Sequence, residues 1–147
     1  MARKTLNYTV QDEGRDKGKL FLLTELSAFR AEKWACRAFL ALAHAGVEVP
    51  PGAAEAGIAG MAVMGLKALQ RASFEEFEPL LDEMMACVQV LPDPANKAIT
   101  RDVIEQDIEE VLTIWKLREA VFELHVGFSI AEALARSTLA SATKSPA

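Results

Sequence analysis

The stretch from Gly14 to Gly46 constrains this chain most. It opens on a charged, glycine-flanked turn, Gly14-Arg15-Asp16-Lys17-Gly18-Lys19, runs through a short apolar strand, Leu20-Phe21-Leu22-Leu23-Thr24, and passes directly into a helical pattern from about Ser27 to Ala45. Gly46 stands where a helix C-cap is expected, and Pro50-Pro51 prevent continuation. Arg30, Lys33, Arg37 and His44 share one side of this helix, while Phe29, Ala35, Cys36, Phe39, Leu40, Leu42 and Ala43 fill the rest. An apolar surface that wide implies contacts on more than one side and puts the segment at the centre of the core.

Upstream, Thr5 to Val10 alternates polar Thr5, Asn7 and Thr9 with apolar Leu6, Tyr8 and Val10, the period of a half-buried strand. Joined through the polar Gln11–Gly18 loop, the two strands predict a hairpin over 5–24. A lone hairpin is only marginally stable in water, so it must pack on the helices or pair with a hairpin from another copy.

Downstream, a helix is expected over Ala53–Ala72, rich in Gly57, Gly60, Met61, Met64 and Gly65. Each glycine costs a soluble helix roughly 1 kcal/mol relative to alanine, which close backbone approach by another element would offset. Ser73-Phe74-Glu75-Glu76 fits a capping box opening a third helix to about Val90, kinked at Pro79 or restarting at Glu78, with Leu80, Leu81, Met84, Met85 and Val88 buried. Thr100 is the expected N-cap of a fourth helix, Arg101 to about Val126, whose acidic first half suits the positive end of the helix dipole. In that first half Ile104, Ile108, Val111 and Leu112 point inward; further on, Trp115 and Phe122 mark one apolar face and Ile114, Leu117, Val121 and Leu124 another. Two faces need two partners: one is the domain's own core and the other a neighbouring subunit or a bound segment, with Ile114, Leu117, Val121 and Leu124 assigned to self-association. Gly127 ends the helix and Phe128–Arg136 adds a short one. The expected fold is therefore mainly α, of the α+β class: an N-terminal β-hairpin followed by about four helices as one domain over 1–136, with the helical part at 27–136 and a disordered tail at 137–147.

The chain's 147 residues suffice for one core without staples. A net charge of −5 argues against nucleic acid as a partner, since phosphate neutralisation needs clustered Lys and Arg. Cys36 and Cys87 have no framework spacing and read as buried free thiols. The basic N-terminus has no apolar run behind it, and the longest uncharged apolar run, Ala56–Leu66, is far short of the ~20 residues of a membrane span, so a cytoplasmic, membrane-free protein is expected.

No motif carries catalytic chemistry, and no enzyme activity, cofactor or metal is expected. His125 with Glu119 and Glu123 makes a poor metal cluster, because positions 123 and 125 do not share a helix face; a cationic histidine at a helix C-terminus is the better reading. Arg15-Asp16-Lys17-Gly18-Lys19 lacks the glycine spacing and following helix of a phosphate loop and reads as a solvated hairpin turn. Met61, Met64, Met84 and Met85 lie on adjacent predicted helices, where flexible thioethers either fill a core or line a groove for a partner helix.

Gly14-Arg15-Asp16-Lys17-Gly18-Lys19-Leu20-Phe21, Thr24-Glu25-Leu26 and Ala31-Glu32-Lys33-Trp34-Ala35 together resemble the small tail assembly chaperones of long-tailed bacteriophages and prophages. Pro79-Leu80-Leu81-Asp82-Glu83-Met84-Met85 and Leu124-His125-Val126-Gly127-Phe128 are similar to the same group, so the likeness runs from about Thr5 to Phe128. The resemblance implies a non-enzymatic, self-associating protein of the bacterial host cytoplasm. Such a protein binds the tape measure protein, keeps that long helical chain soluble, and helps the tail tube protein polymerise around it. It also implies the short form of a pair whose longer member arises by frameshifting. A structural tail or head-completion protein would share most of these features and is the alternative.

Overall fold

The alternation at Thr5–Val10 and the apolar run at Leu20–Thr24 form the expected hairpin in a computed structural model of the chain, which describes residues 3–64 and 66–126. Strand β1 (Thr5–Thr9) pairs antiparallel with β2 (Leu20–Thr24) from Thr5 opposite Thr24 to Thr9 opposite Leu20. Helix α1 (Ala28–His44) follows, capped by the Ser27 hydroxyl accepting from the Arg30 N–H and closed by Gly46 at φ +76°. The expectations for the short helix at 128–136 and the tail at 137–147 lie outside the described residues.

The next segment departs from a single long helix. Turns over 51–57 lead into a short α2 (Ile58–Met64) and a 3-10 turn at Leu66–Arg71. Gly52 and Gly57 adopt φ +83° and +63°, which side-chain-bearing residues avoid and which breaks the helical register. Gly60 meets the close approach expected of a helical glycine: a Cβ there would fall 1.8 Å from the Ala53 carbonyl oxygen.

Helix α3 (Phe74–Met85) starts on Ser73 as N-cap, its hydroxyl accepting the Glu76 N–H and donating to the Glu76 carboxylate, so that only the N-cap half of the expected capping box forms, and it continues through Pro79. It ends five residues earlier than the periodicity suggests, because Val88–Leu91 is strand β3, antiparallel to β2 with Leu23 opposite Val88 and Leu20 opposite Leu91. Met84, Met85 and Val88 satisfy a helical period as well as Val88, Val90 and Leu91 satisfy a strand. The vacant edge of an apolar β2 decides between them.

The last third also departs from expectation. Instead of a helix from Arg101, the chain forms a two-residue strand β4 (Arg101–Asp102), a 3-10 turn at Glu105–Asp107, and only then α4 (Val111–Val126). The Asp107 carboxylate takes both guanidinium nitrogens of Arg101 at 2.7 and 2.8 Å and the Ile104 N–H at 2.8 Å. Side-chain bonds of this kind offer the backbone an alternative to the helix, and Thr100 caps nothing. Among the described residues the sheet is thus four-stranded in the order β1-β2-β3-β4, and the fold is α+β with three helices of three turns or more rather than four.

The core sits where the opening stretch placed it. Trp34 of α1 is fully buried against Phe122 of α4, ring centroids 5.8 Å apart, and its indole N–H donates to the Leu80 carbonyl at 3.0 Å. Phe21 and Leu23 of β2, Val88 and Val90 of β3, and Ala35, Ala38 and Leu42 of α1 close around it.

Candidate functional site

The four methionines divide. Met61 and Met84 are fully enclosed in the core, and only Met64 and Met85 reach its half-exposed margin. Thioethers are well suited to such an irregular space between short helices, so a partner has access to two of the four at most. The self-association face divides likewise: Leu117 and Val121 are fully buried, while Ile114 and Leu124 are half-buried. The sheet and α3 have taken the second face of α4 that a partner was expected to cover.

Apolar surface appears instead where the reading expected burial. Ile104, Val111 and Leu112 are 54%, 72% and 54% exposed, because the segment before Val111 is not helical and the row turns outward. Ile104 lines an open hollow of about 410 Å³ together with Met85, Val103, Glu105, Ile108, Ile114 and Arg118, whereas Leu112 lies by the hairpin turn with Asp12, Glu13 and Gly14. Arg118 lies half-buried in the wall of the hollow, and its Nε has no hydrogen-bond partner among the described residues. A second apolar stripe runs along the outer side of α1 through Phe29, Cys36 and Leu40, all exposed.

The charged turn is anchored rather than solvated. Asp16 is 1% exposed, and its carboxylate accepts from the backbone N–H groups of Glu109 (2.9 Å) and Glu110 (2.8 Å), the Thr113 hydroxyl (2.8 Å) and the Lys19 ammonium (2.8 Å). Burial alone would raise its pKa, but the bonds from Lys19, Glu109, Thr113 and Glu110 outweigh it and hold the carboxyl well below the usual range. Asp16 thereby caps α4 from a loop more than ninety positions away, satisfying N–H groups the helix leaves open. Arg15 reinforces the contact, donating to Glu110 Oε1 at 2.8 Å and to the Glu109 carbonyl at 2.7 Å.

His125 is neutral rather than cationic. Its Nε2 accepts the Leu26 N–H at 2.7 Å, so Nδ1 carries the proton and donates to the Val121 carbonyl at 2.8 Å. Desolvation lowers its pKa despite the bond to Val121. Lys4 takes the cation's place at this helix end, its ammonium donating to the Leu124 and His125 carbonyls at 3.2 and 3.4 Å. Cys87 is buried as expected, its pKa pushed up to about 11 by desolvation, whereas Cys36 is exposed.

A hollow of about 480 Å³ beside the hairpin turn is lined by Lys17, Lys19, Arg101 and Asp107. Its cations are already paired, Lys19 with Asp16, Arg101 with Asp107, and Lys17 with Glu13. Among the described residues no group of three or more His, Cys, Asp or Glu could hold a metal ion, and no helix is long and apolar enough to cross a membrane. The apolar surface around the start of α4 is taken as the candidate site. Comparison of the chain with protein-family models, with curated proteins and with solved structures finds no match to any of them.

Proposed function

We propose that this chain is a tail assembly chaperone of a long-tailed bacteriophage or prophage, binding a helical segment of the tape measure protein and keeping it soluble. The observation that carries the reading is exposed Ile104 at the mouth of the hollow under Met85, Ile108 and Ile114, with exposed Val111 in the first turn of α4. A partner helix engages such a surface through apolar anchors spaced i, i+3 and i+4. Met85 at its rim gives the adaptable lining that suits a long partner of varied sequence.

The test is co-expression with the tape measure protein of the same genome, followed by affinity capture and solubility scoring. Co-purification with rescued solubility is expected, and Ile104→Asp with Val111→Asp should abolish it while leaving the circular dichroism unchanged. Absence of capture, with this protein present in purified particles, would instead establish the alternative of a structural tail or head-completion component.

A further inference from the structure

We infer that β1 is a pairing edge for a second copy of this chain, joined strand to strand about a two-fold axis at Asn7. The inference stands on the sheet alone and does not depend on the chaperone reading.

The Val10 N–H donates to the Lys19 carbonyl and the Glu25 N–H to the Lys4 carbonyl. With the register of Thr5 opposite Thr24 and Thr9 opposite Leu20, these two bonds make Lys4, Leu6, Tyr8 and Val10 the residues that bond inward to β2. The N–H and C=O groups of Thr5, Asn7 and Thr9 therefore face away from the sheet, and none takes a hydrogen bond among the described residues. Folded proteins blunt such edges with charge, proline, bulges or brevity. The other edge of this sheet shows the device: β4 has only two residues, Arg101 and Asp102, both charged. The five residues of β1, Thr-Leu-Asn-Tyr-Thr, carry no charge, no proline and no glycine.

A second β1 fits this edge better than a strand of unspecified origin. Antiparallel pairing of a strand with itself is two-fold symmetric, and the outward row is centred on Asn7. Asn7 opposite Asn7 and Thr5 opposite Thr9 place every outward group in a bonded pair, about six backbone bonds in all. The same register sets Leu6, 43% exposed in the single chain, across a close non-bonded pair from Tyr8 of the partner subunit.

The test is light-scattering mass on sizing and sedimentation equilibrium of the full chain, in reductant so that exposed Cys36 forms no cross-link. A species of twice the 16.0 kDa chain mass is expected. Asn7→Pro removes an N–H that the chain itself does not use, which an edge strand tolerates, and should weaken association by about a hundredfold or more. Asn7→Lys sets two ammonium groups across the axis and decides the matter should the proline variant lose its fold. A wild-type chain that stays monomeric at about 0.5 mM would overturn the proposal, as would a dimer that both variants leave intact. Amide exchange supplies the position: protection at Thr5, Asn7 and Thr9 should rise with protein concentration. Protection gained only when tape measure protein is added would assign the edge to a foreign strand and overturn the second copy.

Discussion

Replacing Asp16 with alanine should cost this domain about 3 to 4 kcal/mol, most of a small domain's margin. The figure follows from what the carboxylate holds. Glu109 and Glu110 lose the acceptor that caps α4, worth about 1 to 2 kcal/mol with partial rehydration of their N–H groups. Thr113, 4% exposed, keeps a hydroxyl without its acceptor in a dry site, worth about another 1 to 2 kcal/mol. Lys19 is partly exposed and regains water, so its loss adds well under 1 kcal/mol. Urea unfolding followed by Trp34 and Trp115 fluorescence measures the total, with an unchanged m-value as the sign that only stability has moved. The pH dependence adds a second readout. Because the folded-state pKa of Asp16 is depressed, its stabilisation is fully present above the unfolded value near 3.9 and is lost as pH falls through and below it. The gap between wild type and Asp16→Asn should therefore be widest at neutral pH and shrink below about pH 4. A cost under 1 kcal/mol for Asp16→Ala, or a gap independent of pH, would refute the reasoning.

Gly60→Ala should destabilise the fold by more than about 2 kcal/mol, since its Cβ would overlap the Ala53 carbonyl and backbone cannot yield as a side chain can; thermal unfolding detects it. For His125 the sign is the reverse of a cationic histidine: its folded pKa is lowered, so the unfolded chain binds more protons, and stability declines as pH falls below about 6.5. Urea titrations at pH 7.5 and 5.5 should show that decline in wild type and its absence in His125→Asn. Met61→Asp should unfold the domain, whereas Leu112→Asp should leave stability within about 0.5 kcal/mol. Circular dichroism of the two side by side separates core from surface, and a folded Met61→Asp would contradict the packing described.

Much of the first half was legible because its signals are local. Thr5–Thr9 and Leu20–Thr24 declare a hairpin by alternation and turn residues, Ser27 and Ser73 declare helix starts by capping chemistry, and Trp34 sits in a segment too apolar to lie anywhere but inside. The second half depends on contacts that no sequence window contains. Strand β3 exists because β2 needs a neighbour on its other edge, and β2 lies more than sixty residues upstream. The start of α4 is set by Asp16 and by the clasp of Arg101 on Asp107, so a run of residues with good helical periodicity from 101 to 110 is drawn into turns. The one local hint was Asp107 spaced three residues after Ile104, close enough to bond its N–H, but an acidic residue early in a supposed helix reads equally well as a dipole partner.

That displaced helix start also explains the candidate site. Had the helix begun at Arg101, the period would have carried Ile104, Ile108, Val111 and Leu112 onto its inward stripe, and the surface here would be acidic. Starting at Val111 instead, α4 presents Val111 and Leu112 outward in its first turn, and the turn at Glu105–Asp107 leaves Ile104 exposed. Asp16 is what holds the start there. Removing it should therefore reach beyond stability: Asp16→Ala at a temperature where it remains folded should lose capture of an apolar partner helix, although Asp16 itself is buried away from any partner. Equal capture by the folded variant would separate the cap from the surface it positions.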